Sequence, residues 1–268
     1  MPEGPEVRRY GLDLSEFVSG KTLKSINVLS GRYTKKPVPG LLEVASTLPV
    51  KVTGVGVHGK FLYWMLKNDY YIWNTLGMTG HWSPNKKKHS RVEFCFDDKS
   101  KVYFNDQRNF GTVKIVRGKH YLLEKLKTLG PDMLATDIDD DVFFQVIKKK
   151  PKWPITKAIM NQSVVAGVGN YVKADSLWLS KISPHRTVDS LSDKDLSALN
   201  SAIKKILRES FRSGGATIRT YENFNGTSGQ YAQRFLVYNQ KNDPEGNEVV
   251  KEKTPDGRTT HWVPDIQK

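Results

Sequence analysis

The spacing of apolar residues changes part-way along this chain, and that change restricts the fold to a mixed α and β class. Apolar and polar residues alternate over Val92–Phe96, which is typical of a strand with one buried face. The continuous apolar run Phe61–Leu66 has the length of a buried strand. Farther along, apolar residues recur every three or four positions after Ser192 and Asp195, which together form a capping box. The sequence therefore predicts an α+β protein with a β-rich amino-terminal domain and a helical second domain.

Several local signals predict where individual helices begin and end. One helix should precede the strands, because the apolar residues at 7, 10, 14 and 17 share a helical face and Gly20 can end it. Thr136 and Asp139 match a second capping box before another apolar-periodic segment. Gly214–Gly215 should end the helix that begins after Ser192.

The lysine run Lys148–Lys152 looks like a linker between the two halves. Beyond Gly215 the chain becomes strand-like again over Phe235–Tyr238 and Thr259–Val263, which indicates a carboxy-terminal hairpin. We therefore expect a first domain over 1–134, a linker over 135–152 and a second domain over 153–268, with the hairpin over about 234–268.

Composition restricts the partners of this chain. Its 268 residues carry a formal net charge of +14, which favours an acidic partner, nucleic acid first and an anionic membrane surface second. The chain has no apolar run of about 18 residues, so no membrane span is expected. Cys95 is the only cysteine, which excludes a thiolate zinc site and an internal disulfide. The histidines have no ligand spacing, so we expect neither a metal nor a cofactor, and the cysteine usage fits an intracellular protein.

The amino terminus offers a candidate nucleophile. Pro2 follows the initiator Met1, and removal of Met1 would expose a secondary amine with a pKa of about 8, against about 10.4 for lysine. An unprotonated amine of this kind can attack a carbonyl-like carbon and form an iminium. Glu3 stands beside it and could move protons to or from a sugar oxygen. Many proteins begin with Met-Pro, however, and Pro5 with Glu6 also suits an ordinary helix start.

Six short segments, in order, resemble the formamidopyrimidine-DNA glycosylase/endonuclease VIII family. The likeness runs through nearly the full chain, in the family's order, and the six segments are Met1–Val7, His58–Lys60, Leu76–Gly80, Asn105–Gly111, Leu129–Asp132 and Gly167–Asp175. The resemblance implies a β-sandwich domain that carries an amino-terminal helix, a helix–two-turn–helix domain and a carboxy-terminal finger. It also implies catalysis by Pro2 and Glu3, with Lys60 at a phosphate near the lesion.

The resemblance assigns DNA-handling roles to further residues. A base-modifying enzyme must flip its target out of the duplex, and Met78, Phe110 and Arg108 would fill the gap and pair with the orphaned base. From the residues alone, the first two could equally belong to a core and the third to a surface ion pair. The other expected DNA contacts are at phosphates and come from Asn170, Lys173, His89, Gly167 and Gly169. Where this sequence has Asp175 the family usually has Glu, so a catalytic role for Asp175 is less secure.

The finger of bacterial relatives usually binds zinc through four cysteines, and this chain lacks them. The corresponding positions are approximately Glu245, Glu248, Val263 and Ile266, which cannot form a tetrahedral zinc site. The chain therefore resembles the zincless-finger branch of the family. Segments 238–240 and 257–262 resemble the two strands of the finger, and Arg258 matches the fingertip arginine that contacts phosphates. Packing of Phe235, Val237, Trp262 and Val263 should hold the finger together.

The expected function is that of a DNA glycosylase with abasic-site lyase activity in base excision repair. Its expected partner is double-stranded DNA with damaged bases or abasic sites, bound by a monomer. Expected substrates are oxidised pyrimidines, ring-opened purines, hydantoins and 8-oxoguanine, and the site of action is intracellular, nuclear in a eukaryote or at the replicated genome of a virus. Two alternatives stay open at this point: a non-catalytic binder of damaged DNA, and a lyase that acts on abasic sites only.

Overall fold

The computed structural model describes residues 2–217 and 222–268, which fold into two compact units. The first unit contains Pro2, Glu6–Lys127 and the described part of Gly214–Gly229. The second contains Glu3–Pro5, Thr128–Ser213 and Gln230–Lys268. The lysine run 148–152, expected as a linker, lies inside the second unit, and the division between units falls after Lys127 instead.

An amino-terminal helix and a large antiparallel sheet dominate the part of the chain before Thr128. The helices are α1 (Gly4–Val18), α2 (Leu41–Ala45) and α3 (Lys119–Lys127). The strands are β1 (Thr22–Val28), β2 (Val50–His58), β3 (Phe61–Leu66), β4 (Tyr70–Thr75), β5 (Gly80–Ser83), β6 (Ser90–Phe96), β7 (Lys101–Asp106) and β8 (Thr112–Arg117).

These strands form a sandwich because the sheet is nearly divided in its middle. The strand order is β5-β7-β6-β1-β2-β3-β4-β8, but β1 and β2 pair at only two positions, Thr22 with Lys51 and Leu23 with Val50. The two four-stranded halves pack face to face through large aromatic side chains. Trp64 of β3 lies 5.2 Å from Trp82 of β5, measured between ring centres, and both are fully buried. The predicted β-sandwich and its strands are confirmed.

Helix α1 packs onto this core as its apolar period requires. Val7, Tyr10 and Leu14 are buried in the same cluster as the sheet residues, and the helix ends at Val18, two residues before Gly20. Gly20 has a φ of +85°, a left-handed conformation that suits glycine after a helix end. The predicted amino-terminal helix is therefore confirmed.

The second unit is helical up to its carboxy-terminal hairpin. Its helices are α4 (Asp140–Ile147), α5 (Ile155–Met160), α6 (Asn170–Leu179) and α7 (Asp193–Arg212). The capping box of α7 is present, with reciprocal hydrogen bonds between Ser192 and Asp195. The capping box expected at Thr136 is wrong, because Asp139 itself caps α4 by accepting a hydrogen bond from the Val142 amide.

The hairpin consists of β9 (Val250–Lys253) and β10 (Thr259–Trp262). The second strand matches the prediction, but the first does not lie at 235–240. The backbone amides of Leu236, Val237 and Tyr238 donate to the Asp175 carboxylate, so these residues form a turn around a buried side chain. Val237 and Val263 share a small core with Val249 and Ala174, as expected for two of the four predicted packing residues. Of the other two, Phe235 packs on Tyr171 and Trp262 on His185.

Candidate active site and nucleic-acid interface

Glu3 lies at the amino terminus of α6. Its carboxylate accepts hydrogen bonds from the Tyr171 amide at 3.0 Å and from the Val172 amide at 3.3 Å, and the residue is 2% exposed. The first amides of a helix have no partner within the helix, and the helix dipole favours a negative charge at that end. The helix therefore fixes the position of this carboxylate and stabilises its charge.

Two glycines make room for the amino-terminal segment. A Cβ atom at Gly169 would lie 2.1 Å from the carboxyl carbon of Glu3, a distance that no side chain can occupy. Gly167 has a φ of +103°, and its carbonyl accepts a hydrogen bond from the Gly4 amide at 2.8 Å. Gly169 is therefore required by the close approach of Glu3, and the positive φ of Gly167 favours glycine at that position. The phosphate contacts expected of these two glycines stay a prediction. Pro2, the residue before Glu3, is buried.

A buried carboxylate joins the two loops that carry the expected gap-filling residues. Asp106 accepts hydrogen bonds from the Thr79 hydroxyl at 2.5 Å and from the Gly111 amide at 2.7 Å. The Arg108 amide in turn donates to the Thr79 hydroxyl oxygen at 3.0 Å. Loop 76–80 and loop 106–111 are thus held together at their bases, and their tips are presented jointly. Neither Asp106 nor Thr79 was singled out from the sequence, although both lie within the matched segments.

The tips of these loops expose large apolar side chains. Met78 is 38% exposed and Phe110 is 56% exposed, which excludes the alternative that they are core residues. The guanidinium carbon of Arg108 lies 4.7 Å from the centre of the Phe110 ring, within range of a cation–π contact. An exposed methionine, an exposed ring and a cation at one place form the kind of wedge that enters a base stack.

Two more predicted residues of the first unit lie at turns or strand starts. Lys60 stands in the tight turn between β2 and β3, just after Gly59, whose φ is +56°. His89 precedes β6, and its carbonyl accepts a hydrogen bond from the Asp106 amide at 3.0 Å. Its ring lies 3.5 Å from the Arg91 guanidinium. His89 therefore borders the same pair of loops.

The turn between β9 and β10 presents Arg258 to solvent. A buried ion pair supports this turn, because Lys173 of α6 contacts the Asp256 carboxylate at 2.7 Å and their side chains are 0% and 3% exposed. Asp256 also accepts hydrogen bonds from the Thr254 hydroxyl at 2.6 Å and from the Arg258 amide at 3.2 Å. Burial pushes the pKa of Asp256 upward, but the hydrogen bonds from Lys173 and Thr254 outweigh it and hold the pKa below its usual value.

Comparison with known proteins matches all three parts of this structure. Family models for the formamidopyrimidine-DNA glycosylase N-terminal domain, H2TH domain and C-terminal domain match residues 1–113, 129–222 and 230–268. A formamidopyrimidine-DNA glycosylase of Oceanobacillus iheyensis is 32% identical over 276 residues, covering 100% of this chain and 98% of that protein. The chain belongs to the formamidopyrimidine-DNA glycosylase family. It is a DNA glycosylase of base excision repair, and abasic-site lyase activity is known for this family.

Solved structures of the family have the same fold. A Lactococcus lactis Fpg variant in complex with Fapy-dG containing DNA has a TM-score of 0.88 and 27% identity, with 100% of both chains covered. Wild-type Lactococcus lactis Fpg in complex with an oxidised pyrimidine containing DNA has a TM-score of 0.87 and 26% identity, also with 100% of both chains covered. The predicted family and fold class are thereby confirmed.

Lys173 and Asn170 of α6 have partners inside the protein that the sequence did not indicate. Lys173 was expected to neutralise phosphate, but its ammonium group is buried against Asp256, so its charge is already compensated inside the protein. Burial lowers the pKa of Lys173, and the hydrogen bond to Asp256 opposes that shift. Asn170 already uses its side-chain amide to donate to the Thr259 carbonyl at 2.9 Å. Both side chains therefore connect α6 to the hairpin.

Asp175 has a structural position in this family member. It is fully buried, and its three backbone donors in residues 236–238 account for both carboxylate oxygens. Burial raises the pKa of Asp175 to about 6, against the opposing effect of these hydrogen bonds. A carboxylate enclosed in this way does not reach a substrate. The position of Asp175 therefore favours a structural role, in which it holds residues 236–238 of the finger region in place.

The sequence over 213–233 resembles the segment that closes over the flipped base in some members of the family, and residues 218–221 of it lie outside the described residues. At its described start, the Ala216 amide donates to the Glu6 carboxylate at 2.7 Å. At its other end, Phe224 is buried and packs on Phe17 of α1. The sequence did not indicate Glu6 as a contact of this segment, because a helix start explains an acidic residue there.

The structure also bears on metals and membranes. Among residues 2–217 and 222–268, no group of three or more histidine, cysteine or acidic side chains is arranged to hold a metal ion. Within the same residues, no helix has the length and apolar character needed to cross a bilayer.

Proposed function

We propose that this glycosylase excises oxidised bases through a covalent intermediate between the Pro2 nitrogen and the sugar of the damaged nucleotide. The observation that carries this proposal is the placement of Glu3. Its carboxylate is held by two helix amides directly after Pro2 in the chain, so an acid–base group and an amine are neighbours. A protein that only binds DNA has no use for a buried carboxylate fixed beside its amino terminus.

The proposed chemistry begins once removal of Met1 frees the Pro2 amine. The nitrogen attacks C1′, the glycosidic bond breaks, and opening of the sugar ring leaves an iminium. Glu3 exchanges protons with the sugar oxygen during this step. Elimination of the 3′ phosphate and then of the 5′ phosphate follows, and water releases the enzyme.

We assign the remaining predicted residues to DNA handling. Met78 and Phe110 enter the gap left by the flipped nucleotide, and Arg108 hydrogen-bonds the orphaned base. Lys60 and Arg258 contact phosphates next to the lesion, where a cation both binds the backbone and fixes its register. Further phosphate contacts by His89 and by the second amide hydrogen of Asn170 complete the proposed interface, and Lys173 has no part in it. A repair enzyme with these bacterial relatives acts inside the cell, and the comparisons lend no support to a nuclear or viral setting.

The proposed substrates follow the DNA found with the Lactococcus lactis relatives, which contains Fapy-dG in one case and an oxidised pyrimidine in the other. We propose ring-opened purines and oxidised pyrimidines for this chain, with hydantoins and 8-oxoguanine as further candidates. A base whose pairing or stacking is already weakened costs less to flip out, which favours damaged over normal bases.

Borohydride trapping tests this proposal directly. Duplexes that carry either an oxidised base or an abasic site should both become covalently attached to the enzyme. Pro2→Gly should reduce trapping strongly, and Glu3→Gln should reduce base release. Trapping on abasic DNA alone would limit the protein to lyase activity, and binding without any trapped product would leave no covalent step. Mass spectrometry of the active enzyme must show loss of Met1, because an intact initiator residue on fully active protein contradicts the mechanism.

A further inference from the structure

A groove of about 790 Å³ lies in the first unit, apart from the residues assigned above to base excision. Three aromatic side chains line it, namely Tyr33, Phe61 and Trp73. The ring of Phe61 meets that of Trp73 edge to face, at 5.6 Å between ring centres. The indole N–H of Trp73 is buried and has no hydrogen-bond partner in the described structure. The groove therefore has an aromatic floor in which Trp73 is partly exposed, whereas Tyr33 and Phe61 are largely buried.

The same groove is strongly cationic. Five of its lining residues are basic, namely Arg32, Lys35, Lys36, Lys114 and Lys125, and none of the lining residues is acidic. Two of the lysines lie over the aromatic rings, with Lys114 Nζ 5.5 Å from the Trp73 ring centre and Lys125 Nζ 5.7 Å from that of Phe61. Five positive charges along a groove that no acidic residue lines favour an anionic ligand.

The position of the groove connects it to the loops that we assign to the lesion. Thr75, at the end of β4, precedes loop 76–80, and Thr112 follows loop 106–111. Both threonines line the groove, and their hydroxyl oxygens are 2.7 Å apart. Arg32 donates a hydrogen bond to the Asn109 carbonyl at 3.3 Å. One end of the groove therefore borders the bases of the two gap-filling loops.

We propose that this groove binds a single-stranded stretch of DNA next to the lesion. Exposed bases stack on aromatic side chains while lysines and arginines neutralise the phosphates, and this combination binds single strands with little sequence preference. Bases inside a duplex are already stacked and cannot use such surfaces, so the groove would act on unpaired DNA. The proposal goes beyond the function proposed above, which requires only a duplex, and it gives the enzyme a means to favour lesions in bubbles or beside single-stranded gaps.

An acidic peptide that contains aromatic residues is the other ligand whose charge fits this groove. Two observations favour DNA over such a peptide. The groove is continuous with loops whose exposed Met78 and Phe110 suit a base stack, and the same DNA molecule would supply the single strand. The partly exposed indole of Trp73 also offers a ring surface of a size that matches a nucleobase.

Charge reversal at the rim tests the proposal. The variant Lys36→Glu/Lys114→Glu changes two exposed groove lysines. The control variant Lys51→Glu/Lys67→Glu changes two exposed lysines of the same unit that do not line the groove, with the same change in net charge. Fluorescence anisotropy would measure the dissociation constants of a labelled oligodeoxynucleotide of about 12 nucleotides, and of duplex and bubble DNA carrying an abasic-site analogue.

The groove variant should weaken binding of the oligonucleotide and of the bubble about tenfold or more relative to the control variant, while both variants affect the duplex equally. The proposal would be overturned if both variants weakened the binding of all three DNA ligands equally. The groove would then contribute only to the overall positive charge of the protein. Trp73→Phe supplies a second readout, since an oligonucleotide in the groove should quench less tryptophan fluorescence in this variant than in the unmodified protein. Equal quenching in both proteins would contradict the proposal, as would a groove that binds an acidic tryptophan-containing peptide but no oligonucleotide.

Discussion

Removing the positive charge of Lys173 should destabilise the finger much more than a surface substitution would. Lys173→Met keeps most of the side-chain volume but leaves the Asp256 carboxylate buried without its cation. Removing one partner of a buried ion pair typically costs about 3 to 5 kcal/mol, because the remaining charge stays desolvated. Hydrogen bonds from Thr254 and the Arg258 amide still reach that carboxylate, so we expect a loss near the lower limit, about 3 kcal/mol.

The double variant Lys173→Met/Asp256→Asn allows the interaction free energy of the two side chains to be measured. With both charges removed, no unpaired ion remains, and replacement of a buried pair as a unit is often nearly neutral. The double variant should therefore be more stable than either single variant, with a coupling free energy of about 2 to 3 kcal/mol. Lys148→Met serves as the control, because its pair with Asp193 is 48% and 68% exposed and such pairs contribute less than about 1 kcal/mol.

Urea unfolding gives these free energies, and a second measurement connects them to the fingertip. Because the Arg258 amide donates to Asp256, a displaced carboxylate should move Arg258, so Lys173→Met should raise KM for abasic-site DNA more than it lowers kcat. Recovery of KM in the double variant would show that Lys173→Met acts by displacing Arg258. If Lys173 contacted DNA directly, KM would stay high in the double variant. Additive single effects below about 1 kcal/mol, or an unchanged KM, would refute the reasoning.

Three further predictions follow from the site geometry. Gly169→Ala should abolish base release and reduce the melting temperature, since its Cβ would lie 2.1 Å from the Glu3 carboxyl carbon; unchanged activity would show that the carboxylate has another position. Met78→Ala and Phe110→Ala should slow excision from duplex DNA while stability changes by less than about 0.5 kcal/mol, because both side chains are exposed; single-turnover kinetics and thermal melting measure the two effects. Asp175 has a pKa of about 6 in the folded protein, above its usual range, so its contribution to stability is complete below about pH 4 and is lost as pH rises through 6. The difference in unfolding free energy between the unmodified protein and Asp175→Asn should therefore change by about 2 kcal/mol between pH 4 and pH 6, out of about 3 kcal/mol over the complete titration, and a constant difference would contradict the assignment.

Elements with strong local signals could be predicted from the sequence. The α1 face, the strand Phe61–Leu66 and the capping box at Ser192 each depend on residues close together in the chain, and the structure contains all three. The candidate site could be predicted in part, because the resemblance supplied the order of the matched segments. The exposed loop tips at Met78 and Phe110 are examples, although exposure itself was visible only in the structure.

Other features depended on partners far away in the sequence. Residues 235–238 have strand-like composition, but the amides of residues 236–238 donate to Asp175, which is about sixty positions earlier. Thr136 and Asp139 have capping-box spacing, yet α4 begins only after Asp139, because the Asp139 side chain accepts the hydrogen bond from the Val142 amide. Lysine at 173 was interpreted as a phosphate ligand because it lies in the segment that resembles the family's helix–two-turn–helix motif. Only its burial against Asp256, 83 positions later, shows otherwise.

A single helix replaces much of what a metal would supply to this finger. Along α6, Asn170 binds the Thr259 carbonyl, Lys173 pairs with Asp256, and Asp175 binds the amides of residues 236–238. These three contacts reach different parts of the finger region, and those of Lys173 and Asp175 join groups that would be costly to bury alone. The first amides of the same helix hold Glu3. A change that shifts α6 should therefore affect both the Glu3 carboxylate, to which we assign the proton transfer, and Arg258 at the fingertip.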